Sequence, residues 1–227
     1  MISVIVPTYN EAENIGALIS RICGALQAAS LDDFEILVMD DDSPDGTAAR
    51  AAELKNPNVK VVNRRGRPRG LAEAVLHGFG EARGEFVGVI DADLSHPPEI
   101  LPALVVSLRE GNNLAIGSRY IRGGGVQDWP LKRIVVSRVA CWMARPLTRV
   151  KDATSGFFFV RKSALDNVRL NPMGFKIGLE VFVRARHEGK IKEVPYVFTD
   201  RAKGMSKFNG RIIGSYLRQL VSLWNEK

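Results

Sequence analysis

An α/β architecture with a mostly parallel central sheet flanked by helices is predicted by three features of the chain. Short β-rich apolar runs alternate with longer amphipathic stretches through residues 1–120, the pattern of stacked βαβ units. Each early run ends in polar residues, as strands of an open parallel sheet do where they line a crevice at their carboxyl ends. A length of 227 residues with 45% hydrophobic content suffices for one sizeable core and does not require two.

The elements follow in order. A strand is expected over Ile2 to Pro7, ending in Thr8-Tyr9-Asn10-Glu11, then a helix from Ala12 to Ala28. The next strand, Phe34 to Asp40, runs into Asp41-Asp42-Ser43-Pro44-Asp45-Gly46, a turn that opens a helix from Gly46 to Leu54 with Asp45 or Ser43 as its N-cap. A strand at Val59 to Asn63 and a helix at Gly70 to Glu81 precede the apolar strand Phe86 to Ile90, which ends in Asp91-Ala92-Asp93. A helix from Ile100 to Glu110 and a strand from Leu114 to Ser118, ending in Arg119, complete this part. Past Arg119 the character changes: Gly123-Gly124-Gly125 opens a loop, and a basic, aromatic-containing stretch runs from Trp129 to Val150. Phe157 to Val160 reads as a strand, Ile177 to Glu188 as a helix, Ile191 to Phe198 as a strand broken by Pro195, and Asn209 to Trp224 as a helix. One domain over 1–227 is expected, with residues 1–120 as one functional half and 121–227 as the other.

With 32 basic against 25 acidic residues and a pI near 9.6, the chain favours anionic partners: phosphorylated small molecules, a membrane surface or nucleic acid. Cys23 and Cys141 are too few for a disulfide framework. Met1 leads straight into a strand-like run without a leader pattern, and no apolar stretch approaches the ~20 residues of a spanning helix. These features predict a cytoplasmic protein whose membrane contact is peripheral.

The Asp91-Ala92-Asp93 step is a metal-site signal. Two carboxylates one residue apart emerge from an apolar strand, where acids cost free energy unless paired or bound to a cation. Hard oxygen donors of this kind suit Mg²⁺ or Mn²⁺, which keep waters and are shared with substrate phosphates. In isolation the step would instead be a polar turn with Asp93 capping the next helix. Asp41 has two readings, a carboxylate accepting hydrogen bonds from a base or ribose, or a helix-terminus charge. The chain has no Gly-x-Gly-x-x-Gly fingerprint and no Walker loop, so a bound diphosphate would fall to a metal and to arginines. His77, His96 and His187 are scattered and read as ordinary surface or packed histidines.

Taken together, Val6-Pro7-Thr8-Tyr9-Asn10-Glu11, Asp40 through Thr47, Asp91-Ala92-Asp93-Leu94-Ser95-His96-Pro97-Pro98, Gly117-Ser118-Arg119-Tyr120, Asp152-Ala153-Thr154-Ser155-Gly156-Phe157, and Asp200-Arg201 with Ser206-Lys207 resemble the family-2 glycosyltransferases of GT-A (Rossmann-like) fold. Within that family the likeness is to polyprenol- (dolichol-) phosphate mannosyltransferases, and it spans essentially the whole chain. It implies transfer of mannose from GDP-mannose to a polyprenyl phosphate, with inversion at the anomeric carbon. By position, Pro7, Tyr9, Glu11, Met39 and Asp41 would hold the guanosine, and Asp91, Ala92 and Asp93 the ribose and diphosphate. Asp93, Ser95 and Asp91 would hold the Mg²⁺ or Mn²⁺. Arg119, Arg201 and Lys207 would meet the diphosphate or acceptor phosphate, and Asp93, Arg119, Arg133, Ser137 and Arg201 form the catalytic set. Two departures stand out: Ser95 replaces a Gln found in some members, so water would enter the metal shell, and Gly70-Leu71-Ala72 replaces Gly-Leu-Gly. Small transmembrane partner subunits, which serve some relatives, are a further expected partner.

A lipid acceptor needs a surface. Trp129, Ile134, Val135, Val136, Val139, Trp142, Met143 and Leu147 interleave with Lys132, Arg133, Arg138, Arg145 and Arg149, as in a helix lying in a membrane interface. The tail repeats the arrangement around Ile212, Leu217, Val221 and Trp224, where packing on the core and membrane contact both remain open. Two alternatives stand beside this expectation. One is a UDP-sugar donor on the same fold. The other is a nucleic-acid-binding module, disfavoured because a carboxylate-lined crevice repels phosphodiesters.

Overall fold

The computed structural model describes residues 1–171, 176–188, 190–199 and 210–225, with side chains of the last segment described from Gly214. Its elements are β1 (Ile2–Thr8), α1 (Ile15–Ala28), β2 (Phe34–Asp40), α2 (Thr47–Glu53), β3 (Val59–Asn63), α3 (Leu71–Glu81), β4 (Phe86–Val89), α4 (Leu101–Arg109), β5 (Leu114–Ser118), β6 (Gly125–Gln127), α5 (Leu131–Ala144), β7 (Phe158–Arg161), α6 (Ile177–Arg184), β8 (Ile191–Pro195), β9 (Val197–Thr199) and α7 (Gly210–Asn225).

A seven-stranded sheet has the order β3-β2-β1-β4-β7-β5-β8. All neighbours are parallel except β7, which runs antiparallel to both β4 and β5. The fully buried strands β1, β2, β4 and β5 are near-continuous apolar runs, because helices cover both faces of the sheet. On one face α1 buries Ile15, Leu18, Ile19, Ile22, Cys23 and Leu26, one stripe at helical spacing, and packs with α4 over β1, Phe157 and Phe159. On the other, α3 and α6 pack over Ile5, Leu37, Val87 and Phe158. A third cluster joins α5, α6 and α7 through Ala144, Leu179, Tyr216, Leu220 and Leu223, and Tyr216 Oη donates to Ala140 O at 2.8 Å. No helix among the described residues is long and apolar enough to cross a membrane.

Several boundaries depart from expectation for local reasons. The first helix starts at Ile15 because Glu11 to Asn14 form a turn, Asn14 N donating to Glu11 O at 3.0 Å. The stretch after β5 contains a strand that the sequence did not reveal, β6, paired in parallel with β9 in a separate two-stranded sheet. The expected strand from Ile191 to Phe198 is two strands in different sheets, since Pro195 closes β8 and Tyr196 turns the chain across to β6, Tyr196 N bonding Ser118 O at 3.2 Å. Trp129 and Leu147, expected on a lipid-facing stripe, are turned inward. Pro130 precedes the first turn of α5 and leaves Trp129 outside the helix, packed against the main core, while Leu147 is buried in the α5–α7 cluster.

Candidate active site

The ends of β1, β2 and β4 line one crevice, and each turns sharply. Asn10, Asp42 and Leu94 all have left-handed backbone, at φ 61°, 58° and 61°; for Leu94 this is a strained state that surrounding structure must enforce. The loops are stitched together. Asn10 N donates to Ser43 Oγ at 3.0 Å, Ala12 N to Asp45 Oδ2 at 3.0 Å, and Thr8 Oγ1 to Asp40 Oδ2 at 2.9 Å. The N-cap of α2 is Gly46, in left-handed backbone at φ 84° and without a side-chain cap bond, so neither expected residue caps the helix: Asp45, one residue earlier, accepts Thr47 N at 3.0 Å, and Ser43 donates to Asp40 Oδ2 at 2.6 Å. Burial would raise the Asp45 carboxyl, but these hydrogen bonds outweigh it and hold the pKa below the ordinary range.

Along this rim Pro7 lies beside Met39 in the β1–β2 register. The Met39 side chain is buried in the core, so any contact it makes with a ligand is through its backbone. Tyr9 is exposed, with the Arg69 guanidinium 5.6 Å from its ring centroid. Glu11 Oε2 accepts Asn14 Nδ2 at 2.8 Å. Asp41 is engaged by the buried Arg64 guanidinium and by Gly70 N at 2.8 Å, which ties the loop after β3 to the floor of the crevice. Sequence reasoning gave Arg64 no role.

At the end of β4, Asp93 is nearly buried while a third of the Asp91 side chain is exposed. Asp93 Oδ1 accepts Ser95 N at 3.1 Å and Ser95 Oγ at 2.5 Å, a closed turn in place of a helix cap. The donor set fits a hard divalent cation. Two carboxylates stand at one strand end and Ser95 orients one of them; among the described residues no group of three or more His, Cys, Asp or Glu side chains gathers, here or elsewhere. A cation held by so few protein ligands retains positions for water and phosphate oxygens. Ala92 between them is buried in the core.

Behind the acids sits His96, which is more than an ordinary packed histidine. Its ring is enclosed by Phe157, Tyr196 and Phe198 at centroid distances of 5.2, 5.6 and 5.5 Å, and Nδ1 lies 3.6 Å from Asp91 Oδ2. Burial drives its pKa down despite the opposing charges of Asp91 and Asp93, and Arg119 and Lys176 push the same way as burial. Four charged side chains of both signs therefore surround one neutral imidazole.

Arg119 leaves β5 into a socket made by the segment before β7. Asp152 accepts Arg119 N at 2.9 Å, Nε at 2.8 Å and Nη2 at 2.7 Å, and Thr154 Oγ1 accepts Nη2 at 2.9 Å. Burial opposes charge on both partners, but their mutual hydrogen bonds and attraction outweigh it, so the Arg119 pKa is raised and that of Asp152 lowered. Both stay ionised. Ser137, from α5, lies with its Oγ 3.5 Å from Thr154 Oγ1, and Arg133, in the first turn of α5, stacks on Trp129 with Cζ 3.8 Å from the ring centroid. Lys176 closes the group, donating to Thr154 O at 2.9 Å; burial and the nearby Arg119 lower its pKa. The structure thus brings Asp91, Asp93, Ser95, Arg119, Arg133 and Ser137 to one region. Arg201 and Lys207, with Asp200 and Ser206, lie outside the described residues. Sequence reasoning gave no role to Asp152, Thr154, Lys176 or Tyr196; the one available signal was an acid and two hydroxyls directly ahead of the apolar β7.

Residues 3–169 match the family model Glycosyl transferase family 2. The chain belongs to that family. This family 2 glycosyltransferase is similar to the dolichol-phosphate mannosyltransferase of Pyrococcus furiosus, at 46% identity over 98% of this chain and 63% of that protein. It is also similar to the dolichol-phosphate mannosyltransferase of Saccharomyces cerevisiae, at 40% identity over 98% of this chain and 86% of that protein. The chain thus spans less than two thirds of the length of the first relative. Among solved structures it resembles glucosyl-3-phosphoglycerate synthase from Mycobacterium tuberculosis in complex with Mn²⁺, UDP-glucose and phosphoglyceric acid, with a TM-score of 0.71 and 25% identity over 99% of this chain and 78% of that one. The GT-A architecture expected from the sequence is the one found.

Proposed function

We propose that this glycosyltransferase moves mannose from GDP-mannose to the phosphate of a membrane polyprenol such as dolichol, inverting the anomeric carbon. Likeness to two dolichol-phosphate mannosyltransferases supports the class of reaction. The observation that carries it at the site is Arg119, a buried, permanently charged guanidinium fixed by Asp152, with no hydrogen-bond partner on Nη1 among the described residues. A pre-set cation of this kind suits a phosphate more than a neutral hydroxyl acceptor.

The acceptor phosphate is already anionic at neutral pH and attacks the anomeric carbon without a general base; the only imidazole in the region, His96, is buried. One phosphate oxygen forms the new bond to that carbon as the bond to the donor's diphosphate breaks, and GDP leaves with the electron pair. Catalysis is then positioning and charge stabilisation. Pro7, Tyr9, Glu11, the Met39 backbone and Asp41 hold the guanosine, Asp91, Ala92 and Asp93 the ribose and diphosphate, and Arg119 and Arg133 the incoming phosphate, with Ser137 beside them. Arg201 and Lys207 are assigned to the diphosphate. A Mg²⁺ or Mn²⁺ on Asp91 and Asp93, with Ser95 or water, would neutralise charge developing on the leaving diphosphate. In this reading residues 1–120 bind the nucleotide sugar and residues 121–227 the acceptor. The exposed Leu131, Val135, Val139 and Trp142 of α5, with Leu217, Val221 and Trp224 of α7, lie against the cytoplasmic leaflet, flanked by Lys132, Arg138 and Arg145.

The test is transfer of radiolabelled mannose from GDP-mannose into organic-extractable polyprenyl phosphate with Mg²⁺ or Mn²⁺, beside UDP-glucose and Asp93→Ala. Incorporation from GDP-mannose that Asp93→Ala abolishes is the expected result. Incorporation only from UDP-glucose, the donor held by the structural neighbour, would replace the sugar donor and leave the acceptor assignment standing.

A further inference from the structure

Trp129 lies beside both arginines assigned to the acceptor phosphate. The Arg133 guanidinium lies 3.8 Å from its ring centroid, within stacking distance, and that of Arg119 lies 5.3 Å away. Phe198 meets the indole edge-on at 5.1 Å, and the same two guanidinium carbons lie 5.7 and 5.9 Å from its ring. Two like charges drawn to one place repel each other unless something attracts both. Asp152 holds Arg119 but occupies its Nε and Nη2, donors that an incoming phosphate would otherwise use. An aromatic ring attracts cations through its quadrupole and accepts none of their in-plane N–H groups. The ring therefore takes no N–H donor from either guanidinium, and Arg119 keeps Nη1 clear of its bonds to Asp152 and Thr154. A second observation points to a ligand here: Trp129 Nε1 is buried, with no hydrogen-bond partner among the described residues. Buried donors of this kind are rarely left unpaired.

We propose that Trp129 is a positioning residue that holds Arg133 beside the Asp152-fixed Arg119 so that the two form one receptor for a phosphate monoester, its own Nε1–H completing the receptor. The proposal rests on the acceptor reading above and adds to it the group that organises the two cations. It accounts for Trp129 facing the site while Trp142 and Trp224 on the neighbouring helices remain exposed.

The experiment compares wild type, Trp129→Leu and Trp129→Phe, with calorimetric binding of farnesyl monophosphate in detergent micelles, of inorganic phosphate and of GDP. Steady-state KM values for polyprenyl phosphate and donor are measured alongside. Loss of the ring in Trp129→Leu is expected to weaken farnesyl monophosphate binding, and to raise KM for polyprenyl phosphate, by about tenfold or more. GDP binding and the donor KM stay at wild-type values. Trp129→Phe keeps an aromatic face and loses the pyrrole half of the indole with its N–H, so it should recover most of that loss; Trp129→Leu keeps apolar bulk without a quadrupole, so rescue by Phe and not by Leu separates the ring's attraction from packing. Parallel weakening for inorganic phosphate would assign the effect to the phosphate itself, and weakening for the lipid alone would overturn the proposal by placing Trp129 on the prenyl chain. It is also overturned if the folded Trp129→Leu protein binds farnesyl monophosphate as wild type does, or if GDP binding falls instead. A wild-type protein that neither binds farnesyl monophosphate nor transfers sugar to polyprenyl phosphate would sink the acceptor reading itself, an outcome separable from wild-type function with an indifferent Trp129.

Discussion

Asp152→Asn is the substitution with the largest effect that can be worked from the structure. The Asp152 side chain is fully buried and that of Arg119 is 7% exposed. The carboxylate accepts three hydrogen bonds from Arg119, one of them from its backbone. Replacing one oxygen by an amide group turns an N–H₂ toward guanidinium donors and leaves a buried cation uncompensated. Breaking a buried pair from one side costs about 3–5 kcal/mol. For a chain of this size, at roughly 2–4 °C per kcal/mol, the melting temperature should fall by about 6–20 °C. Urea unfolding followed by far-UV circular dichroism measures the change, with the slope of the transition checked for constancy. The double variant Arg119→Met/Asp152→Asn should regain much of the loss, because the Arg119 charge that had lost its counter-ion is then removed as well. A single variant within about 0.5 kcal/mol of wild type, in the range of an ordinary surface substitution, would refute the assignment of this pair as a buried, mutually dependent unit.

Three further predictions concern separate sites. Gly88→Ala should destabilise by at least about 1–3 kcal/mol, since a Cβ there would overlap the fully buried Phe159 ring of the adjacent strand; denaturant midpoints measure it. Tyr216→Phe removes the bond to Ala140 O that fastens α7 to α5 and should cost about 1 kcal/mol, with proteolytic nicking near α7 as a local readout. Hydrogen bonds from Ser3 and Arg83 outweigh burial and hold the Glu35 pKa below its usual value. A carboxyl whose folded pKa lies below its unfolded one contributes its full stability above the unfolded value, about 4.3 for Glu, and loses it as pH falls through the folded value. Glu35→Gln should therefore flatten the acid limb of the stability profile while leaving its neutral-to-basic shape unchanged.

Much of the sheet could be read from the chain because its strands are buried on both faces, so β1, β2, β4 and β5 are near-continuous apolar runs with polar stops, broken in β1 and β2 by Ser3 and Glu35. The direction of β7 could not be read, since Phe158-Phe159-Val160 is equally apolar whichever way it runs. Its antiparallel setting follows from long-range pairing with Gly88 and Ala115. Asp91 and Asp93 were visible as acids at the end of an apolar strand. Asp152 was not visible as the partner of Arg119, because 33 residues separate them and only the fold closes that distance. Trp129 shows the same limit: composition and spacing suited a lipid-facing stripe, and the break at Pro130 turned it into the site.

The antiparallel β7 also fixes the order in which this protein can be built. β4, which carries the acid pair, and β5, which carries Arg119, do not touch each other; each pairs with β7 between them. During synthesis β3, β2, β1 and β4 can assemble as soon as residue 89 is available. β5 has no place in that sheet until Phe158–Arg161 has emerged, and the Asp152 socket for Arg119 arrives in the same segment. Long-range closures of this kind are slow steps in folding. The acidic and basic sides of the crevice are consequently joined late and together, so that no ribosome-bound intermediate shorter than about 160 residues can hold the assembled site.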